Sequence, residues 1–228
     1  MSETPIQLNY EDMLKAGMHF GRKKTVFNPK MNKYVFTVKE GICIIDLLKT
    51  QAELGAVAEY LKNALSGTGL VLFVGLTKQS VDSIRSLAEA LNMPYIIDRW
   101  IGGTLTNFKI ISGRVKRLEE MEKDRDSGAL DKYTKKERLM FDREITKMER
   151  HFGGLRKLSR IPDVVFVSSL KESALPVHEA HKMGVKVVAI ANTEADPGDA
   201  DYVIPANDRS KKAVDLIIDA LKTELSSK

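Results

Sequence analysis

The sequence predicts a three-layer α/β/α fold built on a parallel sheet and broken once by a pair of long, charged helices. Three observations carry this. Strand-sized apolar runs recur as LVLFVG (70–75), PDVVFVSS (162–169) and KVVAIAN (186–192), without the polar alternation of a half-exposed strand, as expected of strands buried on both faces. Helix-length amphipathic segments separate them, which implies right-handed crossovers between parallel neighbours. Between residues 104 and 158 the alternation stops, and a charged stretch with apolar residues at helical spacing takes its place.

In chain order, Asn9 precedes YEDMLKAG, a short helix with a capping residue at its start and Gly17 at its end. A basic segment follows, and then 34–38 and 42–45 read as two short strands around the turn KEG. From Leu47 to the Ser66-Gly67 break, LLKTQAELGAVAEYLKNAL places apolar residues every three or four positions, as an amphipathic helix does. The strand 70–75 is followed by the helical SVDSIRSLAEALN and, after Pro94, by a short strand at 95–98. Beyond the interruption come the strand 162–169, the helix ALPVHEAHKMG, the strand 186–192, the turn EADPGD and the strand 201–205. SKKAVDLIIDALKTEL is a last amphipathic helix, and the terminal SSK frays. Within 104–158 the sparse apolar positions are Val115, Leu118, Met121, Leu139, Ile145 and Met148. That spacing fits two long helices paired around SGALDKYT and burying only a narrow seam. The predicted organisation is an α/β body, residues 1–103 and 159–228, carrying an inserted hairpin, residues 104–158, that projects from it.

At 228 residues the chain is long enough for a full core, and its 43% hydrophobic content is that of a globular protein. No apolar run approaches a membrane span, and MSETPIQLNY reads as neither a secretory signal nor a transit peptide. The single cysteine, Cys43, lies in the apolar run GICIID and reads as a small core residue in a reducing compartment. The net charge of +5 is unevenly placed: 14–49 and 104–160 each carry +6, leaving −7 on the remainder. Two basic regions on an acidic body suit local contact with a polyanion, against the plainer reading of solvated charged faces.

Several motifs invite chemistry and are better explained without it. VGLTKQS, after the first buried strand, lacks the GxxxxGK[ST] spacing of a phosphate loop, and no GxGxxG follows any strand. A strand-to-helix turn capped by Thr77 or Ser80 suffices. His178 and His181 share a helix face, but Glu179 lies elsewhere on that helix and no third metal ligand stands at a characteristic spacing. TEADPGDAD has the composition of a calcium loop without its alternating ligands, and Pro197-Gly198 makes it a turn. IDRWIGGTLTNF has two readings: a flexible glycine hinge with Trp100 as a packing anchor, or a close backbone approach to phosphate with Arg99 and Lys109 supplying charge.

The stretch MHFGRKKTVFNPKMNKYVF makes the best case for nucleic acid. Consecutive Arg22, Lys23 and Lys24 splay in different directions in an extended segment, and Lys30 and Lys33 extend the track past the Asn28-Pro29 bend. Of Phe20, Phe27 and Tyr34, at least two are expected to anchor the loop to the core rather than to stack on bases. Arg99, Lys109, Arg114 and Lys116 form a second candidate set at the root of the charged helices. His19 has no partner acid or nucleophile in the pattern and reads as a residue that fixes the HFG turn.

MLKAGMHFGRKKTVFNPKM, GICIIDLLKT, DRWIGGTLTNFK and the run from IPDVVFVSS to KKAVDLI resemble, in that order, the diagnostic segments of the bacterial-type second protein of the small ribosomal subunit. The resemblance spans about residues 8–222, with the helical insertion between the third segment and the fourth. Arg22 stands where many members have histidine and Phe27 where tryptophan often precedes NPKM; Asn192 replaces a frequent aspartate and Ala206 a glycine. The resemblance implies a flavodoxin-like body with a projecting coiled-coil hairpin, bound to small-subunit rRNA near the junction of head and body. It further implies contacts with neighbouring small-subunit ribosomal proteins and with the large mRNA-binding protein of repeated OB domains. The expected place is the cytoplasm, in the ribosome, with no membrane, no cofactor and no catalysis. The competing expectations are a nucleotide-binding α/β enzyme and a free RNA-binding regulator.

Overall fold

The computed structural model of the chain describes residues 6–127 and 133–226. The Asn9 side chain accepts from the Glu11 amide and starts α1 (Tyr10–Lys15). The stretch expected only as a basic arm then forms β1 (Phe20–Lys23), which joins β2 (Val35–Lys39) and β3 (Ile42–Ile45) in an antiparallel sheet of order β1-β3-β2. Glu40 and Gly41, at φ 52° and 76°, make the two-residue turn between β2 and β3, the left-handed pair that suits the twist of a tight hairpin.

Asp46 caps α2 (Leu47–Leu65), and β4 (Val71–Val74), α3 (Val81–Ala90) and β5 (Tyr95–Ile96) follow. After α4 (Phe108–Asp126) and α5 (Lys135–Phe152) come β6 (Val164–Val167), α6 (Ala174–Lys182), β7 (Lys186–Ala191), β8 (Tyr202–Pro205) and α7 (Lys211–Ser226). The five later strands form a parallel sheet in the order β5-β4-β6-β7-β8. Numbered within that sheet the order is 2-1-3-4-5, the doubly wound arrangement of flavodoxin-like folds.

Because successive side chains on a strand point to opposite faces, the sheet feeds two cores. Val71, Phe73, Val164, Phe166, Val188 and Ile190 pack under α2, α3 and α7. Leu72, Val74, Val165, Val167, Val187 and Ala189 pack on the other side, against Val177 and Ala180 of α6 and the inner residues of α4 and α5. These two apolar layers on one sheet are the predicted three-layer architecture.

The two charged helices pack on each other between β5 and β6. Residues 128–132 of the expected SGALDKYT turn, and the final two residues of the expected fraying tail, lie outside the described residues. The seam differs from expectation at one position. Leu139 is exposed, and Phe141 packs against the core in its place. Phe141 stands four residues before Ile145, one turn away on the same face, whereas Leu139 is six residues away and faces elsewhere.

Ile111, Val115, Leu118, Met121, Ile145 and Met148 belong to the same buried cluster as the sheet residues beneath them. An Ile145→Val change is therefore expected to lower global unfolding free energy by about 1 kcal/mol, within a single urea transition. A separate, earlier transition would mean that the helices melt independently of the sheet.

Candidate nucleic-acid interface

The basic stretch is tied to the body first through its backbone. The Arg22 amide donates to Thr193 Oγ1 at 2.8 Å, and the Asn28 amide donates to the Thr193 carbonyl at 2.9 Å. Gly21 sits at this crossing, where a Cβ would come within 2.7 Å of both the Cys43 carbonyl oxygen and Thr193 Cγ2. Gly21→Ala is expected to cost about 1–3 kcal/mol through overpacking. A urea midpoint that stayed in place would show that β1 can shift away from Thr193 freely.

Its five predicted cations then divide by what they meet. Arg22 Nε lies 3.2 Å from Glu194 Oε1, and Lys30 Nζ donates to Asp196 Oδ2 at 2.6 Å. That hydrogen bond from Lys30 holds the Asp196 carboxyl below its usual range. The acidic turn TEADPGD thus clamps the basic stretch, a role composition alone did not suggest. Lys33 Nζ sits 4.6 Å from the Tyr34 ring centroid, a cation–π contact. Lys23 and Lys24 are exposed and form no ion pair among the described residues.

Two of the three aromatics anchor the stretch. Tyr34 is buried and donates from its hydroxyl to Glu53 Oε1 at 3.1 Å, and Phe27 packs against the core. Phe20 remains exposed, its ring 4.1 Å from that of His19. Burial pushes the His19 imidazole below its ordinary pKa. Its carbonyl accepts from the Ile45 amide at 2.8 Å, which fixes the turn into β1.

The glycine pair in IDRWIGGTLTNF is neither a loose hinge nor an open cradle for phosphate. Glu179, buried on α6, aims its carboxylate into the loop. Its Oε1 accepts from Trp100 Nε1 at 3.0 Å and from the Gly103 amide at 2.8 Å. Its Oε2 accepts from the amides of Leu105 (3.0 Å) and Thr106 (3.2 Å) and from Thr106 Oγ1 (3.2 Å). Gly103 has φ +92°, the left-handed conformation that lets these amides converge. Burial alone would raise the Glu179 carboxyl, but the Trp100 and amide hydrogen bonds outweigh it and hold it below its ordinary value. An internal carboxylate occupies the position where an external phosphate was considered.

Arg99, Lys109, Arg114 and Lys116 are all exposed around this locked loop and the start of α4. Lys109 and Lys116, seven residues apart, share a helix face, while Arg114 lies about 140° round from Lys109. The end of the first stretch that carries Lys30 and Lys33 lies on the same side of the sheet as the second set, since Met31 and Tyr34 share a buried cluster with Trp100 and Ile111, whereas Met18, ahead of Arg22, belongs to the cluster on the other side.

The switch point between β4 and β6, where a doubly wound sheet ordinarily receives ligands, is closed by its own side chains. Ser168 Oγ donates to Ser80 Oγ at 2.8 Å, both residues fully buried, and Ser80 Oγ lies 2.9 Å from Thr77 Oγ1. Farther along the strand ends, Asp208 accepts from Ser169 Oγ at 2.6 Å and Asn192 Nδ2 at 3.0 Å, and burial pushes its carboxyl up. His178 and His181 are exposed; among the described residues no group of three or more potential ligands is placed to hold a metal ion. Glu179 was legible as an acid beside the buried Pro176, Val177 and Ala180 of α6, but its partners lie more than seventy residues upstream.

Residues 13–226 match the sequence model of the ribosomal protein S2 family. The small ribosomal subunit protein uS2 of Bifidobacterium animalis subsp. lactis is 44% identical over 212 residues, covering 92% of this chain and 70% of that protein. The uS2 of Bifidobacterium longum is 42% identical over 215 residues, 92% of this chain and 75% of its own length. That of Thermus thermophilus is 40% identical over 214 residues, covering 94% and 84%. With a doubly wound sheet, its ligand crevice closed by serines, and a match that runs almost from end to end, this chain belongs to the ribosomal protein S2 family.

Proposed function

We propose that the chain is a structural constituent of the small ribosomal subunit, working in the ribosome in the cytoplasm, and that it binds small-subunit rRNA by charge neutralisation and shape rather than by catalysis. Family membership supports the assignment to the particle. The observation that carries the RNA reading is the exposure of Lys23 and Lys24, unpaired among the described residues, together with the exposed second set of Arg99, Lys109, Arg114 and Lys116. Arg22 and Lys30 already meet Glu194 and Asp196, so they shape the surface and add less net charge to it.

In this reading the α/β body (1–103 and 159–228) lies near the junction of head and body, and the inserted segment 104–158 reaches rRNA and neighbouring ribosomal proteins. The large mRNA-binding protein of repeated OB domains is the further partner. A nucleotide-binding enzyme is disfavoured by the filled switch point, where Ser80 and Ser168 occupy the space a ligand would need. Sucrose-gradient sedimentation of native extract tests the proposal. The protein is expected to run with small subunits at moderate salt. A protein that runs free and binds nucleotide would overturn the reading in favour of an enzyme, and equal binding to RNA outside the particle would favour a regulator.

A further inference from the structure

Most charges of α5 are sorted by face. Its seam residues Phe141, Ile145, Met148 and Phe152 turn toward α4 and the sheet. At about 100° per residue, the four acids Glu137, Asp142, Glu144 and Glu149 all fall within about 90° of the seam direction. Lys136, Arg143, Lys147 and Arg150 lie at least about 130° away from it, on the opposite side, while Lys135 stands at about 110° and Arg138, at about 50°, shares the side of the acids. All four of these cations are exposed.

The two groups also differ in what they meet. Glu137 closes the capping box with Thr134, and Glu149 accepts from Arg156, which also grips Glu122 of α4. Of the outward cations only Arg150 has an acid, Asp98, at 2.6 Å. Lys136, Arg143 and Lys147 form no ion pair among the described residues. They stand at intervals of seven and four residues, about 10 Å and 6 Å along the axis. A helix that held its charges merely for solubility would gain from mixing signs at three- and four-residue spacing. Here one long edge carries a single sign, as binding to a continuous polyanion requires.

We infer that the outer face of α5, through Lys136, Arg143 and Lys147, is a phosphate-backbone contact surface for small-subunit rRNA, and that this is the face of the helix pair that meets RNA. The inference rests on the ribosomal reading above and goes beyond it by choosing a face outside the α4 root, where Lys109, Arg114 and Lys116 lie. The occupant is polyanionic backbone because nothing on this edge resembles a base-reading set, and phosphate contact needs only aligned positive charge.

The test uses the full chain and small-subunit particles stripped of it. Rebinding of the wild type and of a Lys136→Gln/Arg143→Gln/Lys147→Gln variant is measured against potassium chloride. A Lys171→Gln/Lys182→Gln/Lys212→Gln variant is the control for net charge. The α5 variant is expected to bind at least about tenfold more weakly at low salt, with its log–log salt slope reduced by about two and its melting temperature unchanged. The control should stay near wild type. Because Cys43 is buried, Arg143→Cys labelled with an aryl azide gives one accessible photoprobe, and it should cross-link to rRNA. Wild-type binding with an unchanged slope in the α5 variant, or a cross-link to protein alone, would overturn this inference and leave the ribosomal reading standing. Wild-type protein that fails to rebind the particles would overturn both.

Discussion

Replacing Glu179 with alanine is expected to cost about 3–5 kcal/mol of stability, the largest loss from any single change considered for this chain. Five hydrogen bonds converge on its carboxylate. Bonds to a charged acceptor contribute about 1.5–3 kcal/mol each, and simple addition would overshoot because the exposed Thr106 can turn to water. Trp100 Nε1 and the Leu105 amide cannot, since both residues are buried, and their orphaned donors dominate the cost. Glu179→Gln keeps the shape but turns an amide N–H₂ toward donors, so it should lose about half as much. A urea unfolding curve for Glu179→Ala within about 1 kcal/mol of wild type would remove the carboxylate from its central place.

The pH dependence has a definite sign. The folded-state Glu179 carboxyl sits below its ordinary value, so its contribution is present above the usual glutamate range and fades as pH falls through the depressed folded value. The stability difference between wild type and Glu179→Gln should therefore hold from neutral pH down to about 4.5 and shrink below it. A difference that grew on acidification would contradict the assignment.

The second large effect is on binding. Lys23→Gln/Lys24→Gln is expected to weaken rebinding to stripped small-subunit particles roughly 10–100-fold at low salt and to reduce the salt slope by about 1.5–2. Both side chains are exposed, so unfolding transitions should stay within about 0.5 kcal/mol of wild type. Arg22→Ala differs in kind: it strips Glu194 of its closest cation, leaving Arg209 at 3.5 Å, and should disturb the clamp as well as the charge. An unchanged slope for the lysine pair would remove this segment from the RNA interface.

The parallel sheet was legible because a strand buried on both faces has a short, wholly apolar run, and Val71–Val74 and Val164–Val167 have no other reading. β1 was not, because Phe20–Lys23 takes its partners from β3 and Thr193, and its own residues read as basic and exposed. Leu139 misled for a local reason: leucine marks a seam only at the right angular position, and the neighbouring Phe141 occupies it. Among the candidate site residues, exposure was predictable for the lysines from charge alone. The pairing of Arg22 with Glu194 and of Lys30 with Asp196 joins segments more than 160 residues apart, which periodicity cannot register. The glycines of IDRWIGGTLTNF showed that amides would converge. Only the placement of α6 showed on what.

A map of the assembled small subunit at side-chain resolution would show whether Lys23 and Lys24 meet rRNA. Lys23 Nζ and Lys24 Nζ are expected at ion-pairing distance from rRNA phosphate oxygens, with the Glu179 carboxylate still holding the loop that follows Arg99. Lysine ammonium groups facing open solvent or a protein surface, with no phosphate beside them, would contradict this expectation.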